Sequence, residues 1–355
     1  MIRVFPNGWK KTVGIVITMN NGSLFENGET EGFTHFAEHL MFSGTEKDTR
    51  YQLREKHDRF FHSLEARTSR EEVSIFCLVD MSDVHEAIKT LYEMIFRWKC
   101  RSNIFEDEKQ DLLQETRAYM RSTEHRQRKS VDTFLSIPQR EILGNLPRLK
   151  KLQFSDVQKI KRYWNHLLQE TPIDILLVGE SVTKKHVVFC HNLFKTTKKH
   201  TKCTEWNMIK TEFVTKKNAH ALVVSCTKKH PYLLFFGQLL DQRSQSLPSN
   251  ADYTFAQFKH QTIFFVSGVQ QASAKKFFLH PISVLEFNQT KQDFLQRFRR
   301  ALDGIDATDS LLWLQGFRFE TYADLPSENP LEIYKMFERM RYQDFARFVT
   351  SVKKN

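Results

Sequence analysis

The chain lacks any run of about 18 apolar residues, which is the length that a membrane-spanning helix requires. Its first residues also lack the apolar stretch and small-residue cleavage site of a signal peptide. The five cysteines are odd in number and show no Cys-x-x-Cys spacing, which indicates reduced thiols rather than a disulfide framework. We therefore expect a cytoplasmic protein with no membrane span.

Motifs of nucleic-acid-binding proteins are also lacking, although the chain has a formal net charge of +11. No zinc-finger, RNP-like or helix-turn-helix pattern accompanies the lysines concentrated in residues 194–230. Three interpretations stay open for this region: a nucleic-acid surface, a solvated linker with an exposed strand, and a basic wall that steers acidic peptides. We expect no nucleic-acid partner.

The chain does contain two successive cycles of short apolar strands and long amphipathic helices. In residues 1–182, strand patterns at 13–19 and 173–178 alternate with helical patterns. Residues 183–218 are rich in lysine and are predicted to be a linker with a helix, and residues 219–355 repeat the cycle. The prediction is an α+β fold of two related domains, each an antiparallel or mixed sheet covered by helices.

One short segment combines metal-ligand and acid–base side chains. Residues 32–45 read GFTHFAEHLMFSGT, in which His35 and His39 are four apart and Glu38 lies between them. Positions i and i+4 share one helical face, so both imidazoles can approach one metal ion. Zinc in catalytic sites takes three protein ligands and leaves one position open, and a nearby carboxylate can accept the proton of a water. The alternative is an amphipathic helix with histidines by chance.

A third ligand is available on a second helical pattern. Residues 103–122 read NIFEDEKQDLLQETRAYMRS, with Glu108 and Glu115 seven apart and therefore on one face, two turns from each other. The alternative interpretation of these carboxylates is a solvated acidic surface.

The motif and its surroundings resemble the pitrilysin–insulinase metallopeptidases, a family that includes the β-subunit of the mitochondrial processing peptidase. The letters HFAEH are followed by 75 residues and then Glu115, which is similar to the family's spacing. The order His-x-x-Glu-His is the inverzincin signature, the inverse of the zincin motif. Further landmarks are similar over residues 1–180: Gly22, Ser23 and Glu26 before the motif, Gly44 and Thr45 after it, and residues 65–79 and 142–180, with Glu65 at the usual Asn and Trp164 at the usual Tyr.

The resemblance implies a role for each of these side chains. His35, His39 and Glu115 would be the ligands of Zn²⁺. Glu38 would be the general base that deprotonates the attacking water and later protonates the leaving amine. Glu108 would orient a ligand histidine.

The resemblance also implies sites for the substrate. The family's second domain supplies an Arg and a Tyr that stabilise the oxyanion; here Tyr253 matches, but Ser246 stands where Arg is usual and Arg243 is the nearest candidate. The alternative is an ordinary strand tyrosine and a surface arginine. The family binds peptide as an added strand on the edge of the first sheet, and residues 67–76 are predicted to be that edge, with Thr68, Val73, Ser74 and Ile75 as contact residues.

The family's quaternary structure suggests how such a chain works. Two domains form a clam-like half chamber, so we expect a second family subunit, in a homodimer or a heterodimer, around a peptide substrate. The composition looks like small bacterial members that process leader peptides, such as those of subtilosin-type bacteriocins. The alternatives are a viral core-protein metallopeptidase and a non-catalytic subunit like the core proteins of a respiratory complex. Such subunits lack a ligand or the base, whereas this chain has all four residues.

Overall fold

The computed structural model describes residues 2–5, 11–135, 141–194, 208–216, 218–226, 230–258, 261–303, 310–311 and 330–354. They fall into two compact units. The first comprises Met1–His125, Gln139–His200 and Asp303–Gln315, and the second comprises Arg126–Pro138, Thr201–Leu302 and Gly316–Asn355.

The first unit contains a five-stranded mixed sheet. Along the chain the strands are β1 (Ile2–Phe5), β2 (Thr12–Met19), β3 (Phe61–Thr68), β4 (Val73–Asp80) and β5 (Ile173–Val178). Their order across the sheet is β1-β5-β2-β4-β3, and only the β1–β5 pair is parallel. Strands β2 and β5 are buried along most of their length, which explains their continuous apolar runs.

Helices pack on this sheet and complete the core. They are α1 (Phe33–Met41), α2 (Arg50–Phe60), α3 (Val84–Arg97), α4 (Ser102–Arg121), α6 (Leu146–Lys151), α7 (Val157–Glu170) and α8 (Lys184–Phe194). Between α4 and α6 the chain forms α5 (Thr123–Leu135), which begins in the first unit and belongs to the second unit from Arg126 onward. Trp164 of α7 is fully buried, and its indole N–H donates to the carbonyl of Ile95 at 2.8 Å. This bond satisfies the polar atom of one of the two fully buried tryptophans of the core.

The second unit repeats the combination of a sheet with helices. Its antiparallel sheet has the order β6-β7-β9-β8, formed by β6 (Met208–Lys216), β7 (Ala219–Cys226), β8 (Asp252–Phe258) and β9 (Gln261–Ser267). Its helices are α9 (Tyr232–Ser244), α10 (Gln271–Leu279), α11 (Val284–Asp303), α12 (Pro330–Arg339) and α13 (Tyr342–Lys354). Val131 and Phe134 of α5 join a cluster with Ala221, Val223, Ile263 and Phe265.

These observations confirm the α+β prediction, with two sheets that each carry helices. Within the segment 183–218, which the sequence predicts to be a linker, α8 is a helix of the first unit and β6 is a strand of the second sheet. Residues 195–207 and 217, and with them Cys203, lie outside the described residues. Cys77 and Cys226 are buried in β4 and β7. No helix among the described residues is long and apolar enough to cross a membrane.

Candidate metal centre

The helix that carries the His-x-x-Glu-His motif is held at its N-terminus by a buried carboxylate. Glu26 accepts hydrogen bonds from the backbone N–H groups of Gly32 at 2.8 Å and Thr34 at 2.7 Å. These N–H groups have no partner within a helix, so the carboxylate satisfies them. Burial raises the pKa of Glu26 to about 7, although the two backbone hydrogen bonds oppose this shift. Glu26 therefore fixes where α1 begins.

Three predicted ligands converge between α1 and α4. One ligand atom each of His35, His39 and Glu115 lie within 4.8 Å of one another. The Oε2 atom of Glu115 is 3.2 Å from Nε2 of His39 and 3.6 Å from Nε2 of His35. His35 is buried and His39 is half-buried, whereas Glu115 is more than half exposed. Two imidazole nitrogens and a carboxylate oxygen with one side open to solvent form a donor set that suits zinc.

A backbone carbonyl orients His35. The Nδ1 atom of His35 lies 3.3 Å from the carbonyl oxygen of Leu143. An N–H at Nδ1 that donates to this carbonyl leaves Nε2, the atom that faces Glu115, as the free donor to a metal. The backbone can approach so closely because Gly144 has a φ of 88°, and a Cβ there would lie 2.6 Å from Cα of Gly32.

A carboxylate faces the second histidine. Oε2 of the buried Glu108 lies 3.6 Å from Nδ1 of His39, on the ring side opposite to the atom that faces Glu115. Burial lowers the pKa of His39, but the carboxylates of Glu108 and Glu115 outweigh it and raise this pKa to about 9. The two histidines hold the pKa of Glu115 far below its usual range.

The predicted base has a fixed orientation of its own. The hydroxyl of Thr68, at the end of β3, donates to Oε2 of Glu38 at 2.6 Å. Thr68 is buried, while Glu38 is half-buried and does not belong to the group of three ligand atoms. The carboxylate keeps further lone pairs with which it can accept a proton.

The structure corrects the predicted edge strand. Val73, Ser74 and Ile75 lie in β4, which pairs with β2 on one side and with β3 on the other, so the prediction that they lie on the edge is wrong. Thr68 does lie on the edge strand of the described sheet, β3. The sequence could not show which of the two strands lies at the edge, because the order across a sheet depends on tertiary pairing.

Arg243 and Tyr253 lie in the second unit, where both have local partners. Arg243 pairs with Glu286 and donates to three backbone carbonyls, those of Phe277, His280 and Pro281. The hydroxyl of Tyr253 donates to the carbonyl of Gly237 at 3.2 Å, and burial raises its pKa well above the usual range. Their role in stabilising an oxyanion stays a prediction.

Comparison with known proteins identifies the region that contains this centre. Residues 6–136 match the family model "Insulinase (Peptidase family M16)". The matched residues include the motif on α1 and both glutamates of α4, and they make up less than half of the chain.

Two curated proteins and one solved structure show how far the similarity extends. The chain is 30% identical over 123 residues to a probable mitochondrial-processing peptidase subunit beta of Arabidopsis thaliana, over 32% of this chain and 23% of that protein. It is 28% identical over 109 residues to the uncharacterized zinc protease YmxG of Bacillus subtilis, over 31% of this chain and 27% of that protein. The chain thus covers about a quarter of each relative's length. The periplasmic protease PqqL of Escherichia coli superposes on 100% of this chain and 45% of its own, with a TM-score of 0.66 and 16% identity, which shows a shared fold.

Three positioning groups were not predicted from the sequence. They are the Thr68 hydroxyl, the Leu143 carbonyl, and Arg50, which lies 2.9 Å from Glu108. A backbone carbonyl has no sequence signal, and no helical spacing links Arg50 to the motif. The role of Glu26 at the start of α1 could have been predicted from its position just before the motif, since acidic side chains are favourable at helix N-termini.

Proposed function

We propose that the chain is a zinc-dependent endopeptidase of the pitrilysin–insulinase family. The observation that carries this proposal is the convergence of His35, His39 and Glu115, with Glu38 beside them and bonded to Thr68. The match of residues 6–136 to a peptidase family and the zinc protease name of a relative support it.

Each side chain of the centre would have a different role in peptide hydrolysis. His35 and His39, through Nε2, and Glu115, through its carboxylate, would hold the zinc ion. When bound, zinc supplies Lewis acidity, which polarises a carbonyl and lowers the pKa of water to about 7. Glu38 accepts the proton of the attacking water and returns it to the leaving amine, because it is a carboxylate that is not engaged as a ligand. The hydrogen bond from Thr68 restricts the orientation of the Glu38 carboxylate.

The proposed substrates are short, unfolded peptides, including leader peptides such as those of bacteriocin maturation. Strand β3 is the edge of the described sheet and ends at Thr68, beside the base, so a peptide added to this edge would run past Glu38. The name of the Arabidopsis relative calls it a subunit, which supports a second family subunit as partner. We propose that this subunit completes the site, in a homodimer or heterodimer.

Metal content and cleavage test the proposal together. We expect about one zinc per chain in the purified protein, because three ligands make an open site. His35→Ala should lose the metal, while His166→Ala, at an exposed histidine of α7, should retain it. Glu115→Gln should weaken metal retention. Glu38→Gln should retain zinc and lose nearly all peptide cleavage, because the amide cannot accept a proton.

Two outcomes would contradict the proposal. A native protein without zinc affinity has no such centre. A protein that binds zinc but cleaves no peptide, either alone or with a co-expressed subunit, is the non-catalytic subunit that the sequence left as an alternative.

A further inference from the structure

We propose that Arg50 is a positioning residue of the metal centre, which acts by holding Glu108 in the orientation that fixes His39. This inference rests on the proposed zinc site and not on the identity of any substrate. It is carried by a chain of contacts from α2 through α4 to α1. Each contact joins side chains of the first unit.

Glu108 divides its two oxygens between two partners. Its Oε1 atom lies 2.9 Å from a terminal nitrogen of Arg50, and its Oε2 atom lies 3.6 Å from Nδ1 of His39. The Glu108 side chain is 7% exposed, so water contributes little to its orientation. A buried carboxylate without a cationic partner is costly, and Arg50 supplies that partner.

Arg50 is itself held in place at both ends. It is the first residue of α2, directly after Thr49, whose side chain forms a capping box with Gln52. Its second terminal nitrogen lies 3.4 Å from Oδ2 of Asp107, the neighbour of Glu108 on α4. The planar guanidinium therefore contacts two successive carboxylates of the helix that also carries Glu115.

The geometry predicts the direction of the effect on metal affinity. A ligand histidine binds metal well when its other nitrogen has a fixed partner, and removing such an outer partner costs about 10–100-fold in affinity. Without Arg50, Glu108 can rotate, and His39 loses the group that fixes its ring. A guanidinium that acted only through its positive charge would repel a cation, so its removal would strengthen metal binding. The two roles of Arg50 therefore predict changes in metal affinity of opposite sign.

Four single variants, one double variant and two metals test the proposal. Arg50→Gln removes both the positive charge and the two terminal nitrogens of the guanidinium, whereas Arg50→Lys keeps the charge on a single nitrogen. The control, Arg54→Gln, removes an exposed arginine one turn further along the same helix. Arg50→Gln should then be added to Glu108→Gln. Zinc affinity is measured by competition with a chromophoric chelator, and the visible absorption spectrum is recorded with Co²⁺ alone. Thermal unfolding of each metal-free variant monitors the fold.

We expect Arg50→Gln to weaken zinc binding by about tenfold or more and to change the Co²⁺ spectrum, since the ring of His39 is displaced. Arg50→Lys should fall between this variant and the parent, and Arg54→Gln should equal the parent. In the Glu108→Gln background, Arg50→Gln should have little further effect, because Arg50 acts through that carboxylate.

Several results would overturn the proposal. Arg50→Gln could bind zinc as tightly as the parent or more tightly, it could leave the Co²⁺ spectrum unchanged, or its effect could be undiminished without Glu108. If the parent binds zinc but cleaves no peptide, the proposed function is wrong. The role of Arg50 is still tested in that case, because zinc affinity and the Co²⁺ spectrum do not depend on cleavage.

Discussion

At the scale of single residues, the site depends on hydrogen bonds that restrict charged side chains. Glu38 is half-buried, and its carboxylate accepts a 2.6 Å hydrogen bond from the hydroxyl of Thr68 on β3. A carboxylate that must meet a water and then an amine needs one orientation, because proton transfer requires hydrogen-bond distance. In the proposed mechanism, Thr68 therefore positions the base without serving as a metal ligand.

The first prediction at this scale tests whether the hydroxyl of Thr68, rather than the volume of its side chain, is needed for cleavage. Thr68→Val should retain zinc and lower kcat by roughly 10–100-fold, because a hydrogen bond to a charged group contributes about 1.5–3 kcal/mol. Thr68→Ser keeps the hydroxyl and should recover most of the rate. The measurement is steady-state cleavage of a peptide together with zinc content. If Thr68→Val cleaves as fast as Thr68→Ser, the hydroxyl does not position the base.

At the scale of elements, helices α1 and α4 illustrate what a sequence can predict about a site. Periodicity places His35 and His39 on one face and Glu108 and Glu115 on another, and the structure brings these faces together. The spacing within each helix was sufficient because a helix has a fixed pitch.

Contacts that cross between elements were not predictable in the same way. The order of β3 and β4, and the approach of α2 to α4 through Arg50, depend on packing between distant segments. Local periodicity carries no information about such packing, which is why the edge strand was predicted wrongly and Arg50 was missed.

The start of α1 leads to a prediction about pH. The pKa of Glu26 is raised from 4.5 to about 7 in the folded protein, mainly by burial. Between these values the folded state binds more protons at Glu26 than the unfolded state, so the contribution of Glu26 to the free energy of unfolding falls as pH rises to about 7 and then becomes level. The full effect of this group is about 3 kcal/mol, at 1.36 kcal/mol per unit of pKa.

Replacing Glu26 tests this contribution. Between about pH 4.5 and 7, the free energy of unfolding should fall less steeply in Glu26→Gln than in the parent, because the amide does not titrate in this window. The measurement is urea unfolding of the metal-free protein at several pH values, with Glu29→Gln as the matched control at an exposed neighbour. Parent, Glu26→Gln and Glu29→Gln curves of equal slope would show that Glu26 does not titrate in this way.

At the scale of the whole molecule, the dominant feature is an excess of positive charge. The chain carries 53 lysine and arginine residues against 42 aspartate and glutamate residues, which gives a formal net charge of +11. A field of this sign raises the rate at which acidic peptides arrive and slows basic ones. Main-chain pairing with an edge strand does not distinguish side chains, so charge can contribute to the selection of substrates.

The last prediction concerns this selection. For two peptides of equal length and the same cleavage sequence, one net acidic and one neutral, kcat/KM should be higher for the acidic peptide at low salt. The advantage should shrink as salt rises from 0.05 to 0.5 M, since the Debye length is about 10 Å at 0.1 M and shorter at higher salt. The zinc content must be measured at each concentration, so that metal loss is not taken for screening. Because steering acts on association, kcat should change much less than kcat/KM. A salt response that is equal for both peptides, or confined to kcat, would mean that the basic residues serve stability or solubility and that selection rests on pockets in the site.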